Sequence, residues 1–198
     1  MRISRTIISV QLCLLCLVAC THQQTDSTKS YKTTAFNHFI HRLKIIPLPL
    51  KLNAMLLDGA KFQQLYKEDT LFIKDPSYFY YGLLADTSSF FAVIMLQEAD
   101  SYVPTLFTFD KQGNAIDSGE LHGVGCPYDP DIEYCSGSGT IGKDFSIHCC
   151  DSVCFFELDS ASNKIPGTKQ LQCNFQDGTV SPNGSILLLE HFSEKKLP

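Results

Sequence analysis

Phe90-Phe91-Ala92-Val93-Ile94-Met95-Leu96 is an unbroken apolar run, and its reading decides the fold. It is shorter than the roughly ten residues of a typical helix, rich in aromatic and branched side chains, and free of the polar alternation that marks a half-buried strand. These properties predict a strand buried on both faces. On its C-terminal side, Pro104 to Phe109, then Asp110-Lys111-Gln112-Gly113-Asn114, then Ala115 to Leu121 read as a hairpin with Gly113 at the left-handed position. Ser181-Pro182-Asn183-Gly184 repeats that chemistry between a short strand near Thr179 and the apolar Ile186 to Leu189. Phe145 to Cys150, Cys154 to Leu158 and Lys169 to Phe175 supply further strands, with turn signals about every eight to twelve residues. The expected fold class is all-β, an antiparallel meander closed as a sandwich or a barrel-like sheet.

On the N-terminal side, Phe36, Phe39, Ile40 and Leu43 fall at i, i+3, i+4 and i+7, the stripe of one short amphipathic helix. Pro47 and Pro49 are expected to end it. His38 and His41 lie off the stripe, so a solvated helix face suits them better than a metal site. The aromatic cluster Tyr78-Phe79-Tyr80-Tyr81 would suit a carbohydrate or peptide platform, but alternation along a strand sends two of the four inward and makes packing the default.

Composition narrows the function classes. The chain has 198 residues with 16 basic and 21 acidic side chains, a formal charge of −5, so a basic nucleic-acid face has little to be built from and none is expected. Nine cysteines is an odd number, awkward for a set of disulfides. The N-terminus resolves the parity. Arg2 and Arg5 precede an uncharged stretch from Ile7 to Ala19, too short to span a bilayer and matching a secretory signal. That stretch ends Leu17-Val18-Ala19-Cys20, which resembles the lipobox of bacterial lipoproteins, where cleavage before a diacylated cysteine makes it the mature N-terminus. The resemblance implies residues 1–19 as signal peptide and lipidation at Cys20. Residues 20–34, rich in Ser, Thr and Gln, read as a lipidated tether, and residues 35–198 as a single β-rich domain.

Loss of the signal removes Arg2, Arg5, Cys13 and Cys16, leaving 14 basic side chains against 21 acidic and a formal −7. Apart from Cys20, six thiols remain: Cys126, Cys135, Cys149, Cys150, Cys154 and Cys173. An even set in an exported chain suits disulfides. A hairpin centred on Asp151-Ser152 would place Cys149 opposite Cys154 within bridging distance. Cys150 would face the other way and meet Cys173, while Cys126 and Cys135 would close the irregular loop between them. A zinc site from His148, Cys150, Cys154 and Cys173 has suitable residue types but lacks paired C-x₂-C spacing. A redox-active pair lacks a C-x-x-C at a helix start.

Other constellations are weaker. Asp129, Asp131 and Glu133 place alternate carboxylates that would suit a hard cation, without the spacing or glycine of the helix-loop-helix calcium motif. No G-x-S-x-G, phosphate loop or dinucleotide fingerprint occurs, and Ser136-Gly137-Ser138-Gly139 reads as a flexible link. No cofactor is expected.

Leu106 to Ser118, with its hairpin F-D-K-x-G-x-x-I-D-S, together with Phe36…Phe39…Leu48-Pro49-Leu50 and Tyr80-Tyr81-Gly82, resembles small lipoproteins common in Bacteroidetes. The resemblance implies an exported β-rich domain with no established activity and therefore no catalytic residue to carry over; Thr21 rather than Asp after Cys20 directs the expected lipid anchor to the outer membrane, and the tether's lack of an acidic cluster to its periplasmic face. The leading expectation is a cell-envelope binding or structural module, joined to the membrane by its lipid and taking an envelope protein or glycan as partner. One alternative is an exported hydrolase or metal-dependent enzyme using His122 or His148 near the acidic loop. The other is an inhibitor or immunity-type partner of another exported protein, where acidic charge would suit a basic target.

Overall fold

The computed structural model describes residues 31–99, 101–122 and 129–196. Cys20, Cys126 and the signal and most of the tether lie outside them. The described chain begins in a helix, α1, over residues 31–42, followed by β1 (Leu50–Asn53), a short α2 (Ala54–Asp58) and a 3₁₀ turn (Lys67–Leu71). Eight strands follow: β2 (Tyr78–Asp86), β3 (Phe90–Glu98), β4 (Tyr102–Asp110), β5 (Ala115–Glu120), β6 (Ile132–Ile141), β7 (Ser146–Phe155), β8 (Gln170–Val180) and β9 (Ile186–Lys196). They form two antiparallel meanders, β2-β3-β4-β5 and β6-β7-β8-β9, with β1 added beside β6. The two sheets are stacked as a sandwich, not closed as a barrel, because β1 and β9 remain the edges of one sheet and β2 and β5 those of the other.

The four-stranded sheet is the middle layer. One face packs on the five-stranded sheet through Ala92, Ile94, Leu96 and Leu106 against Leu50, Leu52, Ile141, Ile147, Cys149 and Val180. The other packs on α1, where Phe36, Phe39, Ile40 and Leu43 meet Val93, Met95 and Phe109. Val93, Ile94, Met95 and Leu96 are all fully buried, which is why β3 shows no alternation. The four aromatic residues of β2 follow the same logic: Tyr78 and Tyr80 pack on the helix side, Phe79 and Tyr81 on the sandwich side. Removing the Phe36 ring, which touches Phe39, Phe72, Phe91 and Phe109, would cost about 3–5 kcal/mol.

Three connections use one five-residue turn. Asp110 to Asn114, Asp159 to Asn163 and Ser181 to Ser185 each have the first N–H donating to the fifth carbonyl and the fourth N–H to the first carbonyl. The fourth residue lies at positive φ each time, as Gly113, Ser162 and Gly184. Gly113 meets a second demand, since a Cβ there would lie 2.5 Å from the Phe36 ring.

Several expectations change. The helix ends at residue 42 rather than at the prolines, because the chain turns at Leu43 to pair Ile45 with Leu83. Residues 31–34, read as tether, are helical. Ser136 to Gly139 is not a flexible link but the middle of β6, with Gly137 and Gly139 buried on its inner side. The largest correction concerns Asp151-Ser152, where no hairpin turns: β7 runs straight through, paired on both sides, with Gly137↔Asp151 and Ser152↔Cys173 in register. Cys149 and Cys154 therefore sit five positions apart on one strand, roughly 16 Å along it and on opposite faces. Both are free thiols, so the Cys149–Cys154 bridge does not form. Cys150 opposes Phe175 rather than Cys173, two positions out of register, and both Cys150 and Cys173 are free. Directly opposed residues meet disulfide geometry; diagonal neighbours at about 7–8 Å do not. Cys135 is disulfide-bonded, and Cys126, the partner expected for it, lies outside the described residues.

Candidate functional site

Odd positions of β7 and even positions of β8 and β9 face the sandwich interior. On β7 the apolar core stops at Cys149. The next inner row is Gly137, Asp151, Asn174 and Phe192, read across the sheet by register. The chain leaving β5 brings Leu121 into the core and places His122 above the neighbouring row, Gly139, Cys149, Gln176 and Glu190. The result is a cleft of about 520 Å3 lined by His122, Asp151, Asn174, Gln176, Glu190 and Phe192 among others.

Gln176 is the anchor. Only 2% exposed, it satisfies every polar atom of its amide: Oε1 accepts the His122 N–H at 3.0 Å, while Nε2 donates to the Glu120 carbonyl at 3.1 Å and to Glu190 Oε1 at 3.4 Å. A buried amide left unpaired would cost about 1–3 kcal/mol, so this bonding fixes the His122 backbone against β8. The His122 ring then bridges two carboxylates, Nδ1 to Glu190 at 2.6 Å and Nε2 to Glu120 at 3.1 Å. Each ring nitrogen thus lies within hydrogen-bonding distance of a different carboxylate. The two contacts point to opposite sides of the ring, so they join the β5 and β9 edges rather than converging on a point where a metal would sit. In the next row, Asp151 Oδ1 accepts from Asn174 Nδ2 at 2.7 Å and from its N–H at 3.3 Å, and Asn174 Oδ1 accepts from Gln172 at 2.9 Å.

His148 lies elsewhere. It projects from the outer face of the same sheet, with Nδ1 2.7 Å from Asp177, whose other oxygen is 3.9 Å from His191, and the His191 ring stacks on Phe175. Neither histidine reaches the acidic segment. Phe155, the β7 residue paired with Ile132, is seven positions from His148, roughly 23 Å along the strand. The acidic residues also do not gather around one point. Asp129 and Asp131 use backbone carbonyls to hold Ile132 and Phe156, and Glu133 pairs with Lys169 at 2.5 Å, which holds its carboxyl below the usual range. Among the described residues no three His, Cys, Asp or Glu side chains form a metal-binding group. The combination of His148, Cys150, Cys154 and Cys173 is likewise not assembled as a zinc site.

The free thiols are not poised for chemistry. Burial pushes the Cys149 thiol up to about 12, and burial also raises Cys150 and Cys154, the opposite of an activated thiolate. Sequence reasoning thus named His122 but missed Asn174, Gln176, Glu190 and Phe192, and took Asp151 for a turn residue. One signal was present: Gln172, Asn174 and Gln176 alternate with Leu171, Cys173 and Phe175. The polar set is the inward one, and a strand that turns amides toward the interior beyond its core lines a site. Compared with protein-family models, curated proteins and solved structures, the chain matches none.

Proposed function

We propose that this chain is a cell-envelope lipoprotein, held through Cys20 in the outer membrane and facing the periplasm, whose sandwich binds a small polar ligand or the end of an envelope glycan. The basic start, the apolar run that follows it and the small residue before Cys20 support the anchoring. No helix among the described residues is long and apolar enough to cross a membrane. The observation that carries the binding reading is the cleft. Its polar groups are fixed by mutual hydrogen bonds before any ligand arrives, and Phe192 stands 71% exposed at its rim. Preformed concavity with few placed polar groups and an aromatic wall is the usual form of a small-molecule site.

Acyl labelling in cells tests the anchor: the parent takes up labelled fatty acid and partitions into detergent, Cys20→Ala does neither, and an unlabelled, soluble parent contradicts it. Thermal shift on the detergent-solubilised chain tests the cleft, using amino acids, polyamines and soluble glycans as probes. Saturating ligand at 100 times Kd stabilises by about 2.7 kcal/mol. A probe that shifts the parent but not Phe192→Ala supports the reading; a parent that no probe shifts contradicts it.

A further inference from the structure

The hydrogen-bond accounting of the cleft goes one step further and rests on that binding reading. Most of its inward-facing side-chain donors already meet protein acceptors. Both Gln176 amide protons reach Glu120 and Glu190, Asn174 Nδ2 reaches Asp151, and both His122 ring nitrogens face carboxylates. What carries charge and has no hydrogen-bond partner among the described residues is acceptor, Asp151 Oδ2 and Glu190 Oε2. The exposed ring of Phe192 adds a negative π face. A polyol carries no charge to meet these two carboxylates. An anion would meet two carboxylates. An ammonium or guanidinium group donates only, carries the complementary charge and stacks favourably on an aromatic face.

We infer that the cleft binds an organic cation, through Asp151 and Glu190 as charge partners and Phe192 as the wall. The free amine and the basic side chain of a peptide share this chemistry. The chain's formal −5 assists by raising the local concentration of cations.

The test is calorimetric titration of the full chain in detergent with agmatine, cadaverine and a short arginine peptide, and with sorbitol and glutamate as neutral and anionic controls. The parent binds the cations saturably and neither control. Asp151→Asn and Glu190→Gln, which keep shape and remove charge, each weaken binding at least tenfold. Agmatine and cadaverine binding without the peptide assigns a free amine; peptide binding with weak diamine binding assigns a basic segment. Because Glu190→Gln also alters the His122 contact, its melting curve is recorded, and the salt dependence of the parent gives a second readout: raising salt from 50 to 500 mM weakens cation binding severalfold. Cation affinity unchanged in both variants and insensitive to salt overturns the inference. Sorbitol binding that Phe192→Ala abolishes overturns it too while leaving the binding cleft intact, and silence from every probe contradicts both.

Discussion

Arg42 on α1 donates through Nη1 to the buried carboxylate of Asp69 at 2.7 Å, tying the helix to the 3₁₀ turn beneath it. The pair is asymmetric. Arg42 is one-third exposed and also reaches Glu68 at 3.1 Å, whereas Asp69 is sealed and its other support is the Tyr80 hydroxyl. Arg42→Met therefore strands a buried charge and costs about 3 kcal/mol. Asp69→Asn leaves Arg42 free to turn to Glu68 and water and costs about 1 kcal/mol. Urea denaturation of the two variants checks the order; equal losses contradict it.

Tyr80 gives this corner a pH signature. Burial first, and then the hydrogen bond to Asp69, push its phenol up to about 12 from an ordinary 10.0. The folded state therefore keeps a proton that the unfolded state releases, so the contribution is complete below pH 10 and is lost as pH rises toward 12. The midpoint of denaturation should fall more steeply over that range in the parent than in Tyr80→Phe, and parallel curves would contradict it.

The repeated turn makes opposite predictions at equivalent positions. Gly113→Ala forces an L-residue to φ 80° and its Cβ into Phe36, and should cost about 2 kcal/mol or more. Ser162→Gly relieves φ 62° in an exposed copy of the turn and should stabilise by about 0.5 kcal/mol. Asp110→Ala removes acceptors for the Gln112 and Asn114 N–H groups, at 2.9 and 2.8 Å, and should cost about 1–2 kcal/mol. Differential calorimetry of the three variants reads all of these signs.

The straight course of β7 predicts that Cys149, Cys150, Cys154 and Cys173 are reduced in the mature protein. Alkylation followed by mass spectrometry should label all four in denaturant without reductant. In the native state Cys149 and Cys154, which are buried, should resist. A Cys149–Cys154 bridge would contradict the strand register.

What the sequence reveals depends on how completely each strand is covered. β3 is legible because both its faces are dry, and the Gly113 and Gly184 turns because positive φ selects glycine. β7 is not, because Asp151-Ser152 has turn chemistry while pairing on both sides holds it extended. The cleft is still less legible: Asp151, Asn174 and Phe192 are neighbours only through strand register, and β8 turns its amides inward and Leu171 and Phe175 outward. A pattern reader assigns the apolar set to the core; beyond the end of the core that assignment inverts.

The side-chain amide resonances of Asn174 and Gln176 report directly on cation binding, because both groups sit inside the cleft. On titration with agmatine these two amides should show saturable shifts, lost in Asp151→Asn, while the amides of Asn163 and Asn183 in the distant turns stay still. Shifts confined to the outer face around Asp177, or none at Asn174 and Gln176 while agmatine binds, would contradict cation binding in the cleft.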